Sequence, residues 1–170
     1  MGSQIQGFRL MGKLSAIQQA DLIIKAFGFR KIPLIYYSGV RVVDLNDERL
    51  EIMIPLNKRT QNHLNSMYFG ALAIGADVAG GLLAFLHMQQ SEQKMSVVFK
   101  DLHADFLKRA EGDVHFISIQ NKEIKEMISR IGNSGERENM EVDVVATVPS
   151  VSEEPVARFK LTLSAKMAKG

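Results

Sequence analysis

Apolar residues in the first part of the chain recur first at helical spacing and then at strand spacing. Ile17, Ala20, Ile24 and Phe27 follow a helical period behind a capping-box sequence at residues 15–18. Because Gly28 is a typical C-terminal stop, the pattern predicts a helix over about residues 14–28. Residues 40–45 and 49–56 then alternate in the manner of strands, which predicts a hairpin that turns at residues 46–47.

Most of the second half of the chain has strand periodicity. Strands are predicted over residues 95–106, 113–120, 140–148 and 156–167. In the first of these the apolar positions change parity at Asp101, which indicates a β-bulge. A helical period behind Asn121, a candidate N-cap, predicts a short helix over residues 121–131 that ends before Gly132. A solvated loop is predicted at residues 133–139.

Residues 68–88 form the longest apolar run, and this run has no polar face. A helix of this kind must be enclosed by protein or by lipid. The length would suffice for a membrane span. Amphipathic strands on both sides, an aspartate near the middle and four glycines (Gly70, Gly75, Gly80 and Gly81) favour a buried core helix against which a sheet packs closely.

These elements predict a single α+β domain over residues 1–170, with its core at about residues 40–167. An antiparallel sheet curved around one long central helix accommodates the element order, with an extra N-terminal helix and a short helix between strands. The 170 residues suit one domain, and 46% hydrophobic with 24% charged residues is a globular composition.

Composition narrows the function classes. A net charge of +2 does not favour nucleic-acid binding. Without cysteine there is no disulfide or thiolate zinc site, and the four histidines lack metal-ligand spacing, so no metal is expected. Residues 1–6 lack the pattern of a secretion signal. The sequence therefore predicts a cytoplasmic protein.

Asp77 is the one residue in the apolar run before His87 that is charged at neutral pH. Burying an unpaired carboxylate costs several kcal/mol, so something must compensate for it. A structural interpretation is that Asp77 caps a loop, meets an arginine or points into water at an edge. The functional interpretation is a catalytic carboxylate.

The stretch from Asn62 to Gly80 resembles the hotdog-fold thioesterases, particularly those similar to the phenylacetate-pathway thioesterase. In that group an Asn precedes a His-Gly-Gly at the start of the central helix, and an Asp follows one to two turns later. Tyr68 and Phe69 replace the His and the first Gly, while Gly70 matches the last residue of the motif. Residues 104–113 also resemble the family's strand-turn-strand segment. The resemblance covers about residues 40–167 and implies a hotdog fold.

The resemblance implies hydrolysis of an acyl thioester carried by coenzyme A or a carrier protein. The backbone N–H of Gly70, at the positive end of the helix, would stabilise the oxyanion. Asp77 would act as general base or as nucleophile. Asn62 would orient the water or hold the loop before the helix.

Further residues are candidates for substrate binding. Tyr68, Phe69 and His63 surround the predicted helix start, and Lys108 and Arg109 are candidates for the phosphates of the carrier. The resemblance implies a site between two subunits, hence a homodimer that can pair further into a tetramer. No cofactor is expected apart from coenzyme A as part of the substrate.

Two other functions remain open at this point. Hotdog dehydratases pair a His with a helix carboxylate, and His63 with Asp77 could imitate that pair across a dimer. A non-catalytic protein that holds a fatty acyl group is the second, because Tyr68 and Phe69 alter the helix start.

Overall fold

The structure is a computed structural model that describes residues 14–90 and 94–168. Residues 1–6, whose sequence suggests no secretion signal, lie outside these ranges. The helices are α1 (Ala16–Lys31), α2 (Pro33–Ser38), α3 (Phe69–Gln90) and α4 (Asn121–Ser134). The strands are β1 (Arg41–Leu45), β2 (Leu50–Ile54), β3 (Met95–Phe106), β4 (Val114–Ser118), β5 (Glu138–Val148) and β6 (Ser152–Met167).

The six strands form one antiparallel sheet in the order β1-β2-β4-β5-β6-β3, and α3 packs against one face of it. On β6 the alternating residues Ala157, Phe159, Leu161 and Leu163 face this helix and are buried. The predicted layers, an antiparallel sheet and one long apolar helix, are therefore confirmed. Within the described ranges β3 pairs only with β6, so its other edge has no strand beside it.

Glycines allow α3 to lie very close to the sheet. The Phe116 ring, from β4, occupies the space where a Cβ at Gly75 would stand, and the Phe99 ring, from β3, lies against Gly80 and Gly81. Although α3 has the length and composition of a membrane span, more than half of its most apolar stretch is buried inside the fold. It is a core helix, as its sequence predicts.

The parity change at Asp101 marks a real irregularity in β3. The pairing with β6 shifts register between Phe99 and Leu102. The Asp101 carboxylate accepts a hydrogen bond from the Thr162 backbone N–H at 3.0 Å. The N–H group of β6 therefore keeps an acceptor at the point where β3 bulges. This confirms the predicted bulge.

The N-terminal helical region is longer than predicted. The capping box between Ser15 and Gln18 is present, but α1 continues past Gly28 to Lys31. Gly28 is buried within the helix, and a Cβ there would stand 2.9 Å from the backbone nitrogen of Tyr36. Gly28 is therefore a packing residue that allows α2 to approach, and the prediction that it ends the helix was wrong.

The helix α4 also ends later than predicted. It passes Gly132 and stops at Gly135, which adopts the left-handed conformation with φ 73°. Asn121 was predicted to cap the helix but lies in its first turn, where its amide donates to the backbone oxygen of Asn46 at 2.6 Å. This contact fixes the start of α4 to the β1–β2 turn.

The face of the sheet that points away from α3 carries charged pairs. His115 Nδ1 lies 2.6 Å from one carboxylate oxygen of Glu51, and Arg49 bonds the other oxygen. Lys160 on β6 bonds Glu141 on β5 at 2.7 Å. The partly buried His115 imidazole therefore has a carboxylate partner on the neighbouring strand.

The close approach of α3 makes one substitution costly. We expect Gly75→Ala to lower the free energy of unfolding by about 1–3 kcal/mol, because the new methyl group overlaps the buried Phe116 ring. Gly80→Ala is the matched control, since a Cβ there lies 3.4 Å from the nearest ring atom. Alanine also stabilises a helix by about 0.5–1 kcal/mol relative to glycine. Urea unfolding of both variants measures the difference; equal losses would contradict this account of the packing.

Candidate active site

Asp77 borders a cavity of about 390 Å³ between α1, α3 and β3. The walls are apolar: Ile24 and Phe27 come from α1, Phe85 from α3 and Val97 from β3. The Phe27 and Phe85 rings pack with their centroids 4.7 Å apart, which holds α1 against α3. Asp77 is the one charged residue in this lining. The cavity is therefore suited to an apolar chain with a single polar group beside it.

The Asp77 carboxylate has no compensating partner within residues 14–90 and 94–168. No hydrogen bond or ion pair reaches it, although the side chain is partly buried. Burial raises the pKa of Asp77 above its ordinary value, because the charged form loses water without gaining a donor. Within these ranges Asp77 therefore neither caps a loop nor pairs with an arginine, which were two of the structural interpretations of its sequence position. An unpaired carboxylate in an apolar cavity is typical of a catalytic group.

The start of α3 presents two free backbone donors. The Tyr68 carbonyl accepts from the N–H groups of Ala71 and Leu72 at 2.9 and 3.1 Å. The N–H groups of Phe69 and Gly70 have no acceptor within the described part of the chain. Free N–H groups at a helix N-terminus, together with the helix dipole, stabilise negative charge. The position of Gly70 thus fits an oxyanion-binding role.

The Tyr68 side chain lies beside this position. Its ring carbon Cε1 is 2.5 Å from where a Cβ of Gly70 would stand, so only glycine allows the ring this close. The ring packs at 4.7 Å on Phe69, which in turn meets the edge of Phe106 at 6.4 Å. Tyr68 and Phe69 are 49% and 59% exposed. An aromatic cluster therefore borders the two free N–H donors at the start of α3.

Asn62 holds the loop that leads into α3. Its side-chain oxygen accepts from the Leu64 N–H at 2.8 Å and from the Ser66 N–H at 3.3 Å, and its amide donates to the Ser66 hydroxyl at 3.1 Å. Asn65, inside this loop, has a positive φ of 58°. Of the two roles suggested by the sequence, loop support is the one that these bonds perform.

The remaining candidates share a second cavity of about 310 Å³ at the helix start. It is lined by Asn62, His63, Tyr68, Phe69, Phe106, Lys108 and Arg109, among others. The Lys108 ammonium is paired with Glu154, whereas Arg109 is exposed and has no partner in the described ranges. Arg109 is therefore the better placed of the two cations for a phosphate.

Within one chain the two halves of the predicted site are separate. Asp77 follows Phe69 by eight residues, which is about 12 Å along the helix. Asp77 lines the first cavity, whereas Phe69 at the helix start lines the second. Both cavities border β3, the first at residues 97–99 and the second at Phe106, next to the free sheet edge.

Some lining residues were not identified from the sequence. The Asp77 cavity takes a wall from the first two helices, through residues such as Phe27, Ile32 and Ile35. The apolar stripe of α1 signals a buried face, but the stripe does not show what that face covers.

No group of three potential metal ligands occurs in residues 14–90 and 94–168.

Known proteins of similar structure share this architecture. A provisionally assigned thioesterase from Shewanella oneidensis superposes with a TM-score of 0.74 at 14% identity, over 89% of this chain and 99% of the other. A Chlorobaculum tepidum protein of unknown function gives 0.76 at 14%, covering 89% and 97%. A mutant thioesterase from Pseudomonas aeruginosa gives 0.67 at 16%, covering 92% and 98%. These matches show the hotdog fold.

Sequence comparison gives a family. The family model described as a domain of unknown function, DUF4442, matches residues 21–164. No curated protein sequence matches the chain. The matched range includes most of α1 together with the central helix and the complete core of the sheet.

The raised pKa of Asp77 has a consequence for stability. The folded chain binds this proton more tightly than the unfolded chain, so the ionised carboxylate destabilises the fold as the pH rises through the raised pKa. We expect Asp77→Asn to raise Tm at about pH 7.5. The gain should disappear below the ordinary aspartate pKa of about 3.9. Calorimetry across this pH range measures it, with Asp47→Asn in the exposed β1–β2 turn as control. A gain independent of pH would rule out this cause.

Proposed function

The chain belongs to the DUF4442 family and has the hotdog fold, and from this premise we propose that it hydrolyses acyl thioesters. The observation that carries the proposal is the Asp77 carboxylate, which lies without a partner in an apolar cavity. An unpaired carboxylate in an apolar cavity lowers the stability of the fold. Groups with such a cost are concentrated at functional sites, which supports a chemical role for Asp77.

The reaction follows from the groups present. Water attacks the thioester carbonyl carbon and gives its proton to Asp77, while the carbonyl oxygen takes the negative charge. The N–H groups of Phe69 and Gly70 donate to this oxyanion. Collapse of the intermediate breaks the C–S bond, and the proton passes to the leaving thiolate. In the nucleophilic alternative, Asp77 first displaces the thiolate to form an anhydride that water then cleaves.

A homodimer would bring the two halves of the site together. If β3 pairs with β3 of a second copy around a two-fold axis near the middle of the strand, residues 97–99 of one subunit lie opposite the Phe106 end of the other. Asp77 then faces the helix start of the partner. The exposed apolar residues Tyr68, Phe69, Leu102 and Phe106, close to this edge, would become covered. Pairing also removes an exposed sheet edge.

The substrate class follows from the cavity linings. The acyl group would occupy the apolar Asp77 cavity, and Arg109 would bind phosphate of a coenzyme A or carrier-protein arm. We assign the arrangement to the type of the phenylacetate-pathway thioesterases, because Asn62, Gly70 and Asp77 occur in that order and spacing. The protein would act in the cytoplasm without a resident cofactor.

Hydrolysis of short, long and aromatic acyl-coenzyme A thioesters tests the proposal. We expect Asp77→Asn to lower kcat/KM by about 10²–10⁴, because the carboxylate that takes the proton is lost. Wild-type activity should also fall as the pH drops below the raised pKa of Asp77. Release of thiol is followed with a colour reagent, and Asp47→Asn is the matched control. Full activity of Asp77→Asn would disprove the assignment.

One observation favours a second function, an acyl-binding protein without catalysis. The Tyr68 ring lies against Gly70 and competes for the space that a substrate carbonyl needs. In that case no thioester would be cleaved, and Asp77→Asn would leave acyl-coenzyme A affinity nearly unchanged. Tyr68→Ala separates the two functions, since activity that appears only in this variant would identify the ring as a block.

The shared site can be tested by mixing inactive subunits. Asp77→Asn removes the carboxylate, and Gly70→Val blocks the donors. If each site uses Asp77 from one subunit and the helix start from the other, a hybrid dimer keeps one intact site. Random mixing of equal amounts should then restore about a quarter of wild-type activity.

A charge introduced on β3 tests whether the recovered activity depends on the proposed interface. Leu102 is 43% exposed on β3, and Leu102→Lys would place a charge within the proposed interface. With this change in both subunits the recovery should disappear and the mass in solution should fall to that of one chain. Val151→Lys, at a 69% exposed position in the β5–β6 turn, should change neither. No recovery in the unmodified mixture would mean that the site does not combine residues of two subunits.

A further inference from the structure

The first two helices expose an apolar surface outside the proposed site. Phe29 is 67% exposed, Leu34 65%, Tyr36 51% and Tyr37 55%. The Phe29 and Tyr36 rings pack edge to face at 5.3 Å, so the surface is ordered as a unit. Contiguous exposed apolar side chains of this size mark an interaction site. With their charged neighbours they form the aromatic–basic patch: Phe29, Arg30, Lys31, Leu34, Tyr36 and Tyr37.

The charge of this region has one sign. Residues 22–43 contain two lysines and two arginines and no acidic residue. Lys25 is neutralised by Asp21 at 2.5 Å, but Arg30 and Lys31 have no acidic partner within residues 14–90 and 94–168. Arg59 adds another cation, with its guanidinium carbon 5.4 Å from the centroid of the Tyr37 ring. The patch therefore complements a negatively charged partner.

This charge argues against a second copy of the chain as the partner. A two-fold contact through the patch would bring Arg30 and Lys31 against the same residues of the other copy, and like charges repel. An anionic lipid bilayer matches both features. Exposed aromatic and leucine side chains enter the headgroup layer while Lys and Arg bind the lipid phosphates. We infer that the aromatic–basic patch docks the protein onto an anionic membrane surface.

The patch also adjoins the Asp77 cavity. Ile32 lines that cavity, and the next two residues, Pro33 and Leu34, line the surface groove formed with Phe29, Tyr36 and Tyr37. An acyl chain at the bilayer surface would therefore meet the cavity wall at the end of α1. Delivery of substrate by this route rests on the proposed function, whereas docking itself does not.

Vesicle binding by the full chain, without substrate, tests the docking. Phosphatidylcholine vesicles with and without phosphatidylglycerol are sedimented with the protein at moderate salt. We expect binding only to the anionic vesicles, weakened by added salt. Arg30→Gln with Lys31→Gln should lower the partition coefficient about 25-fold, since each cation near the surface contributes about a factor of five. Leu34→Ser should lower it about tenfold.

Matched variants elsewhere on the surface serve as controls. Lys122→Gln with Lys125→Gln removes the same charge from the exposed face of α4, and Ile119→Ser changes a 70% exposed apolar residue beside that helix. These variants should keep most of the wild-type binding. Equal losses in the controls would overturn the inference, because binding would then follow net charge alone.

Three other results would also overturn the inference. The first is a wild-type chain that does not bind anionic vesicles. The second is a patch variant that changes the mass in solution, which would make the patch an interface between copies. The third is binding to an acidic acyl carrier protein in place of the vesicles. Thiol release by the same preparations is measured separately, so that failure of docking and failure of hydrolysis are distinguishable.

Discussion

The packing of α3 directly on the sheet determines most of this structure. Phe116 projects from β4 into a position on the helix where only glycine leaves room for its ring, and the Phe99 ring packs against Gly80 and Gly81. This contact brings the helix axis close to the sheet and excludes water from between them. It also fixes the rotation of the helix, so that Asp77 is directed away from the sheet towards α1 and the β3 edge. The position of the carboxylate is thus a result of the core packing.

Much of the fold could be predicted because apolar periodicity reports burial directly. The strands, the bulge at Asp101 and the enclosed helix all follow from positions that must face α3 or the sheet. The errors were at helix ends, where Gly28 and Gly132 read as stops. A glycine that permits close packing and a glycine that ends a helix look the same in the sequence. Only the element that packs against the glycine distinguishes the two roles. For Gly28 this element is α2, whose six residues are too few to give a helical period.

The candidate site was predictable in its residues but less in its arrangement. Asp77 is conspicuous as a single charge in an apolar run, and Gly70 follows from the resemblance to the hotdog thioesterases. The sequence left the role of Asn62 open between orienting water and supporting the loop, and it contains no signal that Glu154 would neutralise Lys108. Such contacts join residues through loops and edges, where no periodicity constrains them. The same is true of the wall that α1 and α2 supply to the cavity.

The depth of the Asp77 carboxylate is set by the packing of α3 on the sheet. Phe116 fills the space over Gly75, two residues before Asp77, so α3 cannot move closer to the strands. The opposite wall of the cavity comes from Phe27, Ile32 and Ile35, and the Phe27 ring packs on Phe85 of α3. A change in the size of one of these apolar side chains would therefore alter the space available to a ligand without moving the carboxylate.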